Sequence, residues 1–407
     1  KIEVLRMCLQ DRGESMWLCE VKNHDMDFKV IENQTVTEVL EDLRLEGLDK
    51  SFWSVRVVPA DQEEVCAIPE LRETFPYQYN FLFKSHHGLF DGNTVLYFIR
   101  VYTEILDDVL SGKTVSDDIR FGKFVYDDPL QSIIKETEEA LKSDPICLEK
   151  ERERLLRVTM KQPILYTAFP KPKGIRSTTR HIVKKVDNAK AKSFYKCCKL
   201  NNVSMTAGFE AVFNTALVEM VRDAGVVRDG YNINIRQAVS MRRYMEVEKD
   251  FNKFQLGLFL VGIQQGTYCK KVVRKHFWEH AQEIHSEFRS LLKNNIPIIE
   301  SIVRPQVQGP LDPVVLAKGP PRDNSDYAFS NLLDLTPLAF YEGSQVQLTD
   351  MIIYNSINNF LHPLLFQFST YRGFGHLTCS YDTVKVADDT AHELTDRIMN
   401  ILDFVTK

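Results

Sequence analysis

Hydrophobic and polar residues alternate with a period of two in several short segments near the start of the chain. Val4–Gln10, Trp17–Val21 and Phe52–Val58 are rich in β-branched and aromatic residues and are bounded by turn residues, so each predicts a strand. Val36–Leu45 predicts a short helix between the second and third of these strands. In Tyr79–His87 alternate residues fall on opposite faces, so the pattern predicts a strand that ends in two histidines.

From Thr94 the apolar residues recur at intervals of three and four, which predicts an amphipathic helix of about four turns. Asn93 or Thr94 would cap its start, and Gly112 would end it. The apolar stripe consists of Val95, Phe98, Ile99, Tyr102, Ile105, Leu106 and Val109.

The second half continues to alternate between the two periods, after a charged helical stretch at Lys135–Arg157 and a Pro- and Gly-containing segment at Phe169–Gly174. The strands that it predicts are His181–Val186, Tyr231–Arg236, Phe254–Gln264, Met351–Asn355, Leu365–Tyr371 and His376–Tyr381. Helices are predicted at Ala189–Leu200, from Ser204 or Thr206 onwards, over Phe277–Leu291 and after Asp388. Loops are predicted over Pro305–Arg322. The elements predict a mixed α/β (α+β) fold with an N-terminal lobe at 1–168, a crossover at 169–180 and a C-terminal lobe at 181–407.

Composition excludes several classes of protein. The 407 residues are 44% hydrophobic and 26% charged, which is ordinary for a folded chain and excludes wholesale disorder. The formal charge of -5 gives no global attraction to nucleic acid, and no apolar run approaches the roughly 20 residues of a membrane span. The eight cysteines form no C-x-x-C pair and no Cys/His spacing suited to zinc, so we expect reduced thiols, no metal site and a cytoplasmic location. Disulfides stay open as an alternative, because Asn33-Gln34-Thr35 and Asn202-Val203-Ser204 fit the glycosylation sequon. We also expect a monomer.

The window from Lys84 to Asn93 carries the clearest chemistry. It places His86 and His87 at a strand end, then a glycine-containing turn with Asp91 and Gly92, and then a helix start. Imidazole titrates near neutrality, so one ring is a candidate general base that takes a proton from an attacking hydroxyl or amine. The competing interpretation is structural, with the histidines packed at a strand end and Asp91 an ordinary helix N-terminal acid.

His86-His87-Gly88-Leu89-Phe90-Asp91-Gly92 resembles the H-H-x-x-x-D-G signature of a large acyltransferase superfamily. That superfamily includes chloramphenicol acetyltransferase, plant BAHD acyltransferases, alcohol acetyltransferases and condensation domains of peptide synthetases. Further similar segments are Phe52-Trp53-Ser54-Val55-Arg56-Val57, Asn232-Ile233-Asn234-Ile235-Arg236, Leu256-Gly257 and Phe329-Ser330-Asn331-Leu332, the last like alcohol acetyltransferase-like members. The resemblance implies two chloramphenicol acetyltransferase-like lobes, each a mixed sheet with flanking helices, with an active-site channel between them.

The resemblance also implies roles for residues of the motif. His87 would be the general base, and His86 a supporting residue whose exchange has a milder effect. Asp91 would pair with an arginine of the other lobe and hold the His87 loop, with Gly92 supporting the turn. Arg236 is the best match for that arginine, although Arg242 and Arg243 are close in sequence and are alternatives.

The activity that the resemblance implies is transfer of an acyl group, most simply acetyl, from a coenzyme A thioester to an alcohol or amine. The thioester would be a co-substrate, with no cofactor bound permanently. Ser330, Asn331 and Thr349 are candidates to stabilise the oxyanion. Lys171, Lys173, Arg176 and Arg180 are candidates to bind the phosphate of coenzyme A, against the alternative of a solvated basic loop.

Two other functions stay open at this stage. One is an acyltransferase whose donor is an acyl group on a carrier-protein phosphopantetheine, and the other is a binding protein that keeps the fold without turnover. The plant D-F-G-W-G segment is absent, and Ser369–Leu377 stands in the corresponding region, which disfavours a plant BAHD enzyme. The opening strand and first helix of the family would lie before Lys1, so the first lobe is expected to be incomplete as written.

Overall fold

The computed structural model describes residues 3–13, 16–20, 27–47, 52–60, 66, 68–88, 90–115, 130–159, 161–245, 256–270, 274–308, 324–358 and 362–407. The strands are β1 (Met7–Asp11), β2 (Met16–Glu20), β3 (Phe28–Val30), β4 (Trp53–Pro59), β5 (Tyr79–Ser85), β6 (Thr179–Val186), β7 (Gly230–Ser240), β8 (Leu260–Lys270), β9 (Tyr327–Asp334), β10 (Leu364–Tyr371) and β11 (Phe374–Asp382).

The helices are α1 (Val36–Leu45), α2 (Pro69–Thr74), α3 (Gly92–Leu110), α4 (Leu130–Ser143), α5 (Pro145–Thr159), α6 (Leu165–Ala168), α7 (Asn188–Leu200), α8 (Met205–Asp223), α9 (Phe277–Lys293), α10 (Ile296–Gln308), α11 (Thr336–Ala339) and α12 (Asp388–Val405). Short 3-10 turns occupy Glu3–Arg6, Met241–Tyr244 and Arg274–His276.

The chain divides into two compact units, each built from separate stretches of sequence. The first unit comprises Lys1–Pro129, Arg242–Phe259 and Leu335–Met351. The second comprises Leu130–Met241, Leu260–Asp334 and Ile352–Lys407. The lobes at 1–168 and 181–407 with a crossover at 169–180 stay a prediction.

The first unit contains a mixed three-stranded sheet in the order β3-β4-β5. β3 and β4 are parallel, and β4 and β5 are antiparallel. α1 links the two parallel strands, and its Val39 and Leu43 pack with Val58 of β4 in a small core. The helix begins there because Thr35 and Glu38 form a capping box that satisfies backbone N–H groups at its start. β1 and β2 pair with each other as a separate antiparallel ribbon.

α3 lies against β5 within this unit. Phe81 and Phe83 of β5 stack on Tyr102 and Phe98 of α3, with ring centroids 4.4 Å and 5.0 Å apart. Because these two phenylalanines are two positions apart, they confirm the predicted alternation along the strand. The face of β5 that contains Phe81 and Phe83 is therefore the face that packs on α3.

The second unit contains a mixed six-stranded sheet in the order β6-β11-β10-β9-β7-β8. β9 is parallel to β10 and β7, and the other neighbouring pairs are antiparallel. α8 packs on one face of this sheet, where Phe213 contacts Phe329 and Phe366. Each phenylalanine buried there contributes about 1.5–3 kcal/mol, so this core is a main source of stability for the unit.

The predicted fold class is confirmed: the chain has two mixed sheets flanked by helices. Several boundaries differ from the prediction. Residues 351–357 form no strand, β8 begins at Leu260 rather than Phe254, and α10 continues through Pro305 to Gln308. The start of the predicted strand at Phe254 and the rest of the predicted loop, 309–322, lie outside the described residues. In the part of the chain that the structure describes, no helix is long and apolar enough to cross a membrane.

Candidate active site

The two histidines lie in a short connection between β5 and α3. β5 ends at Ser85, and α3 begins at Gly92. His86 and His87 are exposed, whereas Asp91 is buried at the start of α3. Leu89 lies outside the described residues. The connection therefore presents imidazole rings at its surface and anchors its far end in the interior.

A hydrogen bond fixes the tautomer of His87. Its Nδ1 lies 2.8 Å from the carbonyl oxygen of Phe90. A carbonyl oxygen can only accept, so Nδ1 must carry the hydrogen and donate it. In the neutral ring Nε2 is then unprotonated and has a free lone pair. This is the form of imidazole that a general base needs.

His86 has the opposite arrangement. The backbone N–H of Gly88 donates to its Nδ1 over 3.1 Å, so Nδ1 accepts and the hydrogen of the neutral ring is on Nε2. The ring also lies against Phe52, with centroids 5.7 Å apart. A Cβ atom on Gly88 would come within 2.9 Å of the His86 ring, so a side chain at position 88 would displace it. His86 is thus engaged by the local backbone, and His87 presents the basic nitrogen.

Asp91 holds the start of α3. Its Oδ1 accepts from the backbone N–H of Thr94 over 2.7 Å, which makes Asp91 the N-cap of the helix. The predicted N-cap at Asn93 or Thr94 is therefore wrong. The carboxylate also pairs with Arg242, with Nε 2.8 Å from Oδ2 and Nη2 3.1 Å from Oδ1. The two bonds give the pair a bidentate geometry, which strengthens an arginine–carboxylate interaction. Both side chains are also almost fully buried.

A segment distant in sequence completes the anchor. The carbonyl of Gly257 accepts from the N–H of Asp91 over 3.0 Å and from Oγ1 of Thr94 over 2.9 Å. Arg242 donates to the same Thr94 hydroxyl over 3.0 Å, and its guanidinium lies 4.5 Å from the ring centroid of Phe259. Gly257 has a φ of 154°, a conformation that other residues rarely adopt. All of these residues belong to the first unit.

The predicted partner of Asp91 was Arg236, and this is wrong. Arg236 lies on β7 in the second unit, six residues before the arginine that pairs with Asp91. Its side chain runs across Gly262 of β8, where a Cβ atom would lie 2.6 Å from Nε of Arg236. Arg242 takes the role because it follows the end of β7, in the 3-10 turn Met241–Tyr244.

Gly92 is the first residue of α3 and has no positive φ. Gly92 was expected to support the turn by relieving backbone strain, but its φ angle is one that other residues also adopt. Glycine is needed instead at two positions that the sequence argument did not single out for this reason. Gly88 accommodates the His86 ring, and Gly257 adopts the unusual φ that presents its carbonyl to Asp91.

The three oxyanion candidates lie in different surroundings. Thr349 lies in the first unit, which also contains His87, and is partly buried. Ser330 and Asn331 lie on β9 in the second unit and are partly buried. The Asn331 amide donates to Oγ1 of Thr206 over 3.2 Å, and its Oδ1 accepts from the N–H of Leu333. Asn331 thus ties β9 to the start of α8.

The four basic candidates for coenzyme A are exposed and lie in the second unit. Lys171, Lys173 and Arg176 lie between α6 and β6, and Arg180 lies on β6. Arg180 forms an ion pair with Asp388. Lys171 lies over the ring of Tyr166, with Nζ 4.6 Å from its centroid. Lys173 and Arg176 are exposed. Two of the four therefore already have contacts within the unit.

Thr94, Gly257 and Phe259 were not predicted from the sequence as parts of the site, and Arg242 was predicted only as an alternative to Arg236. A signal for Thr94 was present, since it stands three residues after Asp91, where an N-cap carboxylate finds a backbone donor. Among the residues that the structure describes, no group of three or more His, Cys, Asp or Glu side chains is placed to hold a metal ion.

No family model matches the sequence, and no curated protein matches it. Solved structures, in contrast, share the fold over almost the whole chain. One is TRI3 trichothecene 15-O-acetyltransferase from Fusarium sporotrichioides, with a TM-score of 0.63 and 12% identity, covering 94% of this chain and 77% of that one.

Two further similar structures come from peptide synthetases. The epimerization domain from the third module of tyrocidine synthetase B, TycB3(E), has a TM-score of 0.61 and 13% identity, covering 99% of this chain and 85% of that one. The first condensation domain of the calcium-dependent antibiotic synthetase has a TM-score of 0.61 and 10% identity, covering 99% and 84%. At these identities the likeness shows a common fold.

Proposed function

We propose that the protein is an acyltransferase that moves an acyl group from a thioester to an alcohol or amine, with His87 as the general base. The observation that carries the proposal is the bond from Nδ1 of His87 to the Phe90 carbonyl, which leaves Nε2 basic on an exposed ring. Support comes from the fold, which is shared with an O-acetyltransferase and with condensation domains.

The proposed reaction needs no covalent acyl-enzyme. Nε2 of His87 takes the proton of the acceptor as its oxygen or nitrogen attacks the carbonyl carbon of the thioester. The tetrahedral intermediate then collapses, the carbon–sulfur bond breaks, and the thiolate takes the proton back from Nε2. The products are an ester or amide and a free thiol. Throughout these steps Nδ1–H keeps its bond to the Phe90 carbonyl, which holds the ring in one orientation.

Asp91 and Arg242 act in this proposal as positioning residues. Both are buried and paired with each other, so neither presents a free charge to a substrate. Their contacts with Thr94 and Gly257 fix the end of the connection that carries His87. A general base gains from such support because small errors in ring position slow proton transfer.

The oxyanion would be stabilised by a hydroxyl or amide donor, for which Thr349, Ser330 and Asn331 are the proposed residues. Asn331 is the weakest of the three because Thr206 and Leu333 already use its amide group. We propose acetyl coenzyme A as the simplest donor, with Lys171, Lys173, Arg176 and Arg180 as residues for its phosphate.

The test is a thiol-release assay with the purified protein, acetyl coenzyme A and a panel of alcohols and amines. Replacing His87 with alanine should lower the rate by about a hundred- to ten-thousand-fold, the usual contribution of a general base. The matched control is His86→Ala, which removes the neighbouring ring and should have a milder effect. Wild-type turnover by the His87→Ala protein would refute the mechanism.

A carrier-protein phosphopantetheine is the alternative acyl donor. It is favoured by the contacts of Arg180 with Asp388 and of Lys171 with Tyr166, since these reduce the basic surface offered to coenzyme A. Acyl-pantetheine lacks the adenosine 3'-phosphate, so comparing it with acetyl coenzyme A separates the donors. A large preference for coenzyme A would exclude the alternative. No turnover with either donor, and no coenzyme A binding, would instead favour a binding protein of the same fold.

A further inference from the structure

Three partly buried arginines and two buried glutamates meet in the second unit. This arginine cluster consists of Arg154, Arg236 and Arg304 with Glu151 and Glu300. α5 supplies Arg154 and Glu151, α10 supplies Arg304 and Glu300, and β7 supplies Arg236. None of these residues has a part in the chemistry proposed for His87, so the inference that follows is independent of that function.

Two of the arginines have carboxylate partners. Arg154 donates to both oxygens of Glu151, to Glu300 and, over 2.6 Å, to the carbonyl of Gln264. Arg304 pairs with Glu300 and donates to the carbonyl of Gly262. Glu300 is fully buried and also accepts from the N–H of Gln264 over 3.0 Å. Both carboxylates are therefore committed to Arg154 and Arg304.

Arg236 has no such partner. Within the described ranges its guanidinium forms no hydrogen bond or ion pair, and Nη1 of the neighbouring Arg304 is buried without a hydrogen-bond partner. Burial lowers the pKa of Arg236. Burial, followed by the charges of Arg236 and Arg154, lowers the pKa of Arg304 to about 9, although Glu151 opposes this. A third carboxylate, Glu287, lies near Arg154, whose charge opposes the rise that burial causes in the pKa of Glu287. Among the described residues none of these carboxylates bonds Arg236, so the guanidinium of Arg236 and Nη1 of Arg304 are left together as donor groups without an acceptor.

The backbone is shaped to keep Arg236 in this place. Ile233 and Ile235 of β7 belong to the core under α8, so Arg236 and Asn234 face the opposite side of the sheet. A Cβ atom on Gly262 would lie 2.6 Å from Nε of Arg236 and 3.3 Å from its Cγ, so glycine gives the side chain room to cross β8. The partly buried Arg236 side chain is therefore held across β8 at Gly262.

Arg236 is partly buried, and a charge that is partly removed from water is costly unless an opposite charge or a hydrogen-bond acceptor pairs with it. Guanidinium groups match the oxygens of phosphate and carboxylate, which accept two parallel hydrogen bonds. We propose that Arg236 and Arg304 form a binding site for a single oxyanion, of the phosphate or carboxylate class, within the second unit.

Two further atoms bear on the kind of oxyanion. Oδ1 of Asn234 and Oε1 of Gln264 are buried without hydrogen-bond partners in the described part of the chain. Gln264 is paired in register with Arg236, and Asn234 lies two residues before it, so both share its face of the sheet. These oxygens need a donor, and a phosphate group that carries one proton supplies an O–H as well as the charge. This favours phosphate over carboxylate.

The test is a thermal unfolding series of the full 407-residue chain with sodium phosphate or sodium acetate at pH 7 and constant ionic strength. A ligand that binds only the folded state at about a hundred times its dissociation constant should raise the melting midpoint by about 5 °C. We expect this rise with phosphate for the wild type. A response to acetate as well would assign the site to oxyanions in general.

Arg236→Met should abolish the response and raise the midpoint in anion-free buffer, because it removes the uncompensated charge. The matched control is Arg228→Met, an exposed arginine of the same unit, which should respond like the wild type. Arg236→Lys keeps the charge and should retain a weakened response, which provides a readout if the methionine variant folds poorly. The proposal fails if neither anion stabilises the wild type, or if Arg236→Met responds as the wild type does.

Discussion

Asp91 combines three structural tasks in one carboxylate. It caps α3 through Thr94, pairs with Arg242 and accepts from the N–H of Phe259 over 3.4 Å. A buried ion pair is not stabilising by its charges alone, because both groups lose their hydration. Here the additional hydrogen bonds offset that loss, and the result is a rigid end to the connection that carries His87.

The residue-scale prediction is a double-mutant cycle of Asp91→Asn and Arg242→Met. Asparagine remains a good N-cap, so the first variant removes the charge and keeps the cap. Each single change should lower the free energy of unfolding by about 3–5 kcal/mol, because it leaves one buried charge unpaired. The double variant should lose clearly less than the sum of the two, as measured by urea unfolding followed by circular dichroism.

Arg243→Met is the control for this cycle. Arg243 is the next residue in the 3-10 turn, is exposed and has its guanidinium near the Tyr244 ring. Its replacement should change the free energy of unfolding by no more than about 0.5 kcal/mol. Additive single effects, or single effects as small as that of Arg243→Met, would mean that the Asp91–Arg242 pair does not anchor the connection.

At the scale of the element, α3 has an aspartate near each end, and each aspartate accepts hydrogen bonds from backbone N–H groups that are distant in sequence. Asp91 fixes its first turn, and Asp107 in its last turn accepts from the N–H of Gln345 over 2.6 Å and of Val346 over 3.1 Å. An acid in the last turn opposes the helix dipole, so its place is explained by these contacts. Gly343 is required beside it, since a Cβ atom there would lie 2.6 Å from Oδ1 of Asp107.

The element-scale prediction concerns Asp107→Ala. Asp107 is buried, and its loss leaves two backbone N–H groups of the 343–346 turn without their acceptor. We expect the free energy of unfolding to fall by about 1–3 kcal/mol. The control is Asp108→Ala, which breaks an ion pair with the exposed Lys113 and should cost about 0–1 kcal/mol. Equal losses in urea unfolding would contradict a specific role for Asp107.

At the scale of the whole molecule, the second unit contains acids whose burial makes its stability depend on pH. Glu210 is fully buried on α8 and accepts from Gln237 and, over 3.0 Å, from Thr267. Burial raises its pKa to about 8, and burial likewise raises the pKa of Asp326 to about 7. A raised pKa in the folded state means that stability is greatest below the ordinary pKa and is lost as the pH rises towards 8.

The prediction at this scale is a loss of stability between pH 6.5 and 8.5. The pKa of Glu210 implies that it contributes a decline in the free energy of unfolding on the order of 2 kcal/mol over this range. Glu210→Gln removes the titrating group and should flatten the profile by about that amount.

Glu219→Gln is the matched control, because Glu219 lies on the same helix but pairs with the partly exposed Arg274. Its pH profile should follow that of the wild type. Denaturant unfolding at several pH values measures all three proteins. A Glu210→Gln profile as steep as the wild type would show that Glu210 does not titrate in this range.

Much of the local structure follows from sequence because its causes are local. The residues of α1, Val36–Leu45, are those predicted, since a capping box and an apolar stripe lie within ten residues. Ser204, one of the two predicted starts of this helix, is the N-cap of α8, and the alternation in β5 places Phe81 and Phe83 on one face. The connection with His86 and His87 also follows from sequence, because a strand, a turn and a helix start are each visible in it.

Other features required the tertiary structure. The apolar run at 256–259 has the composition of a strand, yet Gly257 is used to bind Asp91 and Thr94, and β8 starts only at Leu260. Met351–Asn355 also has strand composition and forms none, because a strand needs a neighbour that composition does not specify.

The sequence by itself determined the class of fold, most of the elements and the place of His87. Only the tertiary structure decided that Asp91 pairs with Arg242, and that Arg236 lies in a partly buried cluster with Arg154 and Arg304. The physical reason is the separation along the sequence over which each kind of interaction acts. Periodicity and capping act over one or two turns, whereas a charge pair joins side chains 151 positions apart and depends on where the folded backbone brings them together.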